Sequence, residues 1–84
     1  MGTVVLTPDA AEQFDNLPRG IQPRVNHVIL RLEKWPNVSG AKPLRGQWAG
    51  NYRIRTGDYR IVFRVSGETV IVWRIADRKD VYFD

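Results

Sequence analysis

The chain has 84 residues, 13 of them Lys or Arg against 9 Asp or Glu, for a formal net charge of +4. That length excludes two ordinary domains of roughly 100–150 residues each, yet permits autonomous folding, for which about 60 residues suffice. The absence of Cys excludes disulfides, thiolate metal sites and a Cys nucleophile, and 43% hydrophobic residues argue against global disorder.

Thr3-Val4-Val5-Leu6-Thr7 is short and β-branched and reads as a strand. The stretch Met1 to Leu6 lacks the basic start and long apolar run of a secretory signal, and no apolar run approaches the roughly 20 residues that span a bilayer. The expectation is a cytoplasmic, soluble protein with no membrane contact, one domain over residues 1–84. Thr7 is placed as an N-cap and Pro8 suits the first helical position. A short helix is expected from 8 to about 16, with Ala10, Ala11 and Phe14 as its apolar side, ending at Leu17-Pro18-Arg19-Gly20. A second helix is expected from about Ile21 to Trp35, because Ile21, Val25, Val28, Ile29, Leu32 and Trp35 recur at helical spacing. Pro23 is tolerated there because it lies in the first turn.

Residues 36 to 50 read as a loop carrying the basic stretch Lys42-Pro43-Leu44-Arg45-Gly46. The period then changes to two. Tyr52-Arg53-Ile54-Arg55, Tyr59-Arg60-Ile61-Val62-Phe63-Arg64-Val65 and Thr69-Val70-Ile71-Val72-Trp73-Arg74-Ile75-Ala76 read as three strands joined by Gly-containing turns, hence as antiparallel hairpins. The predicted fold class is α+β, in the order βααβββ, with a helical hairpin packed on one face of a small, mainly antiparallel sheet. The other face is left to solvent or a ligand.

Alternation puts Arg53 and Arg55 opposite the apolar Tyr52 and Ile54, and Arg60 and Arg64 opposite Ile61 and Phe63. In the last strand, pattern alone does not decide whether Val70, Val72 and Arg74 or Ile71, Trp73 and Ile75 face the helices. Between residues 42 and 64 six basic residues meet one acid, Asp58. Like charges on adjacent strands repel, so this arrangement suits an anionic ligand or partner. Ten of the 13 basic residues are Arg, whose planar fork matches phosphate. The single His, His27, falls off the apolar stripe of the second helix and is expected in solvent.

Leu44-Arg45-Gly46, the run Tyr52-Arg53-Ile54-Arg55-Thr56-Gly57-Asp58-Tyr59-Arg60-Ile61-Val62-Phe63, and the closing Arg78-Lys79-Asp80-Val81-Tyr82 together resemble the RelE/ParE superfamily of toxin–antitoxin toxins. The resemblance covers nearly the whole chain, and the family's fold agrees with the βααβββ order. It implies one of two activities. RelE-type toxins cut messenger RNA in the ribosomal A site, whereas ParE-type toxins share the fold and poison DNA gyrase. Carried over by position, the ribonuclease set is Arg53, Arg55, Arg60, Arg78 and Tyr82 as catalytic residues, with Lys42, Arg45, Arg64 and Lys79 as further RNA-binding positions. The C-terminal Tyr82, and the absence of the extra C-terminal segment of many gyrase-directed relatives, favour the RelE side. Arg53 and Arg55 stand where the ribonuclease members commonly carry Lys, and Asp77 where they often carry His or Lys.

No His pair, carboxylate pair or metal-ligand cluster is apparent, so the expected chemistry uses no cofactor and no metal. The 2′-hydroxyl attacks the adjacent phosphate, leaves a 2′,3′-cyclic phosphate, and the protein stabilises the charge that builds there. Arg is a poor general base. Lys79, Asp77, ribosomal or RNA groups and a crowded Arg remain open for that role, and Tyr82 is placed to stack on a base or assist a proton transfer. The implied partners are the messenger RNA on the ribosome and a cognate antitoxin whose acidic or amphipathic segment covers the basic face. The alternatives to a ribonuclease are a gyrase-directed toxin and a non-catalytic nucleic-acid- or partner-binding module.

Overall fold

The structure is a computed structural model that describes residues 2–81. The first strand, β1, spans Thr3–Leu6, and two helices follow, α1 (Pro8–Asp15) and α2 (Gln22–Arg31). The Thr7 side chain accepts from the Ala10 N–H at 3.2 Å, with Pro8 opening the helix. The hairpin is tied at its turn by Gln22, whose Nε2 donates to the Phe14 carbonyl at 3.1 Å and the Asp15 carbonyl at 3.3 Å. One side chain at the start of α2 thus satisfies two end-of-helix acceptors of α1.

The apolar stripe of the second helix is used as expected: Val25, Val28 and Leu32 are buried, with Ile21, Ile29 and Trp35 packed against the same core. The α-helix itself stops at Arg31, and Leu32–Lys34 form a 3₁₀ turn. The reason is Pro36, which forces the residue before it away from helical dihedrals; Trp35 has ψ 137°. Its ring then packs edge-on to Tyr52 and Phe63, at 4.8 and 5.3 Å between centroids.

Four more strands complete one sheet: β2 (Lys42–Pro43), β3 (Asn51–Thr56), β4 (Tyr59–Ser66) and β5 (Thr69–Asp77). The order across the sheet is β1-β5-β4-β3-β2, with β1 parallel to β5 and every other pair antiparallel. The segment expected to be all loop therefore contains a two-residue strand and a 3₁₀ turn at Gly46–Trp48, and a further 3₁₀ turn, Arg78–Asp80, follows β5. Two residues joined to β3 are too few for periodicity to register. Ile54, Ile61, Phe63, Val70, Val72 and Ile75 face the helices and form the core with Ala10, Val25, Val28 and Leu32.

The undecided strand resolves through a β-bulge. Val62 pairs with Arg74 and Phe63 with Val72, so Trp73 is an extra residue on β5. Before the bulge Val70 and Val72 point to the core; after it Ile75 does, and Arg74 and Ala76 turn to the far face. Neither alternating set is correct over the whole strand, because the phase changes at Trp73. Its indole Nε1 donates to Asn51 Oδ1 at 3.0 Å, which anchors the extra residue on the far face, stacked near Trp48.

Candidate functional site

The far face is organised around Val62. Register places Arg53 and Arg74 directly across from it on the flanking strands, and Arg60 and Arg64 lie two residues away along β4. Arg55 is opposite Arg60, and Lys42 opposite Arg53. Directly opposed side chains start about 5 Å apart at Cβ. Like charges on directly opposed residues repel. An anion between Arg55 and Arg60 is attracted by both.

This face is less open than the strand pattern suggests. Arg53 and Arg60 are each only 6% exposed, and Val62 is completely buried although it points away from the main core. Leu44 and Val81 are buried outside that core as well. Leu44 donates its N–H to the Asn51 carbonyl at 2.9 Å, which continues the β2–β3 pairing and puts Leu44 on the far face too. The arginine stems thus lie on an apolar floor, as long cationic side chains do. Reduced water contact strengthens any guanidinium–phosphate bond formed there.

The turn Gly57-Asp58 gathers two more of the sequence-derived residues. Arg60 Nη1 donates to the Gly57 and Tyr59 carbonyls, both at 3.3 Å. The Arg78 N–H donates to the Asp58 carbonyl at 2.7 Å, and its Nε lies 3.8 Å from Asp58 Oδ1 in an exposed ion pair. Arg78 therefore stands beside Arg60 at one end of the face. Arg64 is exposed at the other end of β4, opposite Asn51. Arg45 is exposed ahead of the 3₁₀ turn at 46–48 and is not drawn into this group. Lys79 lines an adjoining cleft of about 550 Å³ with Tyr59, Gln13, Leu17 and Arg74, which the cleft shares with the far face, at the edge of β5 that β1 is too short to cover. Gln13 Oε1 caps that edge by accepting from the Ile75 N–H at 2.7 Å. Asp77 Oδ1 accepts from the Lys79 N–H at 3.2 Å as the cap of the last 3₁₀ turn. Tyr82 lies outside the described residues.

Arg74 is the member of the face that sequence reasoning missed. Its Nη2 donates to the Asp80 carbonyl at 2.8 Å, which holds the C-terminal 3₁₀ turn against the sheet. From Val70 to Trp73 both faces of the strand read as apolar, which hides the bulge that places it. Among the described residues no group of three or more His, Asp or Glu is gathered as a metal site.

A family model described as the ParE toxin of the type II toxin–antitoxin system parDE matches residues 4–82. The chain belongs to the RelE/ParE superfamily of type II toxin–antitoxin toxins. The toxin RelG of Mycobacterium tuberculosis is 33% identical over 95% of this toxin and 94% of its own length, and the toxin RelE3 of Methanocaldococcus jannaschii is 28% identical over 94% and 93%. The fold agrees with that of the RelBE2 toxin–antitoxin complex of Mycobacterium tuberculosis. There the TM-score is 0.80 at 29% identity, covering 92% of this toxin and 98% of that chain. The isolated RelE toxin of E. coli has the same fold, with a TM-score of 0.77 at 20% identity over 92% of this toxin and 84% of that chain.

Proposed function

We propose that this toxin is a ribosome-dependent endoribonuclease that cleaves messenger RNA, and that the scissile phosphate docks over Val62. The observation that carries the reading is the ring of Arg53, Arg55, Arg60 and Arg74 on an apolar floor. The relatives named toxin RelG and toxin RelE3 support it. The 2′-hydroxyl gives up its proton and attacks the adjacent phosphorus. The bond to the 5′ oxygen breaks, that oxygen takes a proton, and a 2′,3′-cyclic phosphate remains. Arg53, Arg55, Arg60 and Arg78 stabilise the added charge on the phosphate and hold the hydroxyl in line. Asp77 is engaged as a cap, which leaves Lys79, Tyr82 and groups of the ribosome to move protons.

Antitoxin-bound structures among the neighbours, including the RelB–RelE complex of Methanococcus jannaschii at TM-score 0.77 and 26% identity, support a cognate antitoxin. An acidic or amphipathic segment of it would cover the basic face, by charge complementarity. The ParE description of the matching family model favours a second reading, inhibition of DNA gyrase. Primer extension on cellular messages shortly after induction separates them. New 5′ ends within coding regions are expected. Intact messages with an induced DNA-damage response would transfer the assignment to gyrase, and growth without arrest would leave a binding module.

A further inference from the structure

A second basic surface lies on the other side of β3. Arg24, His27 and Arg31 are spaced i, i+3 and i+7 on α2 and so share one face of the helix. Helix α2 contains no acid, whereas α1 carries Asp9, Glu12 and Asp15, so charge is segregated between the two arms of the hairpin. The α2 face and β3 enclose a groove of about 350 Å³ lined by Arg24, His27, Arg31, Arg55 and Thr56.

This groove joins the far face of the sheet. β2 pairs only with Tyr52 and Arg53, so no strand among the described residues covers the outer edge of β3 from Ile54 to Thr56. Arg55 belongs to both surfaces: it opposes Arg60 across the sheet and lines the groove. The two surfaces also meet at Gly57. Arg60 Nη1 donates to its carbonyl, and Arg24 Nη1 stands 3.3 Å from the point a Cβ would occupy. Gly57 has φ +58°, so a side chain there would be strained as well as crowded. Arg60, Arg55, Arg24 and Arg31 thus form one cationic track around the uncovered edge, with His27 between the last two on α2.

We infer that this track binds the phosphate backbone of an RNA strand as it leaves the sheet face, an extension that rests on the ribonuclease reading. A strand held over Val62 must cross an edge of the sheet. At the opposite edge β1 carries no charge, and in the cleft beside β5 Arg74 and Lys79 are matched by Asp77 and Asp80, with the acidic helix α1 alongside. Among the described residues the groove at the β3 edge is lined by Arg55, Arg24 and Arg31 with no acid, so cations follow one another there without a matching carboxylate. Arg24 and Arg31 are about 10 Å apart along the helix axis, so they contact different phosphates. An acidic peptide is the competing occupant, and it is favoured if RNA binding shows no length-selective dependence on Arg24 and Arg31.

The test is fluorescence anisotropy with 2′-O-methyl RNA, whose blocked hydroxyl removes cleavage from the measurement. Oligonucleotides of about 5 and about 12 nucleotides are titrated with toxin between 50 and 200 mM salt. The native toxin is expected to bind the longer RNA more tightly. The Arg24→Ala/Arg31→Ala double variant is expected to lose that length advantage, with a salt slope lower by about 1.4, since each single-strand phosphate contact contributes about 0.7. Arg31 also donates to the Ser39 carbonyl at 2.7 Å, so Arg24→Glu is the second variant, free of that structural bond, and it should show the same length-selective loss. Unchanged binding of the longer RNA, or an equal loss for both lengths, overturns the inference. Because the probe cannot be cleaved, a toxin that fails to cut messages would refute the ribonuclease reading without deciding this result.

Discussion

Arg60 is both a structural and a functional residue, and the two roles predict effects of different size. The substitution Arg60→Ala removes two hydrogen bonds, each 3.3 Å long, to the carbonyls of Gly57 and Tyr59. At about 0.5–1.5 kcal/mol each, the expected loss of stability is about 1–3 kcal/mol. For a chain of this size about 2 kcal/mol lowers Tm by roughly 8–16 °C. A domain with only about 5 kcal/mol of stability would retain about 3 kcal/mol, and less than about 1% of it would be unfolded at 25 °C. Loss of one preorganised donor to a developing negative charge, by contrast, slows reaction by about 10²–10³-fold. The cleavage defect should therefore exceed anything unfolding can supply. The assay pairs a thermal melt by circular dichroism with cleavage of a synthetic message in a purified translation system at 25 °C. Arg60→Lys keeps the charge but loses the fork, and should fall between the native toxin and Arg60→Ala. A folded Arg60→Ala toxin that cleaves at the native rate would refute the role given to this arginine. A variant unfolded at 25 °C would refute the stability argument.

Three further outcomes are expected. Thr7→Ala removes the acceptor for the Ala10 N–H and should cost about 1 kcal/mol, read as a lower denaturation midpoint with an unchanged slope. Gln13→Leu leaves the Ile75 N–H without its 2.7 Å acceptor at the uncovered edge of β5 and should cost about 1–3 kcal/mol in the same experiment, with a faster hydrogen exchange at that amide. Gly57→Ala strains a residue at φ +58° and pushes on the Arg24 guanidinium, so it should lower stability by about 1 kcal/mol or more and weaken binding of uncleavable RNA.

The elements with a strong period were legible without coordinates. The stripe from Ile21 to Trp35 gave the second helix because six apolar residues at helical spacing leave one face to bury. The Thr7-Pro8 start and the two Gly turns followed from local dihedral preferences and capping, which depend on a few adjacent residues. The common face of Arg53, Arg55 and Arg60 followed from a period of two on strands too regular to slip.

Tertiary packing decided what local pattern leaves degenerate. In Val70-Ile71-Val72-Trp73-Arg74-Ile75 both faces read as apolar, so the bulge at Trp73 carries no periodic signal. It is set instead by Asn51, which takes the indole N–H from a strand 22 residues away. That one extra residue sends Arg74 to the same side as Arg53 and turns three sequence-visible arginines into a ring around Val62. Burial of Arg53 and Arg60, and the meeting of Arg24 with Arg60 at Gly57, likewise arise from contacts between distant segments. Residue type and strand period determine which charges share a face; only the folded packing determines how close they stand, how much water reaches them, and where the basic surface continues.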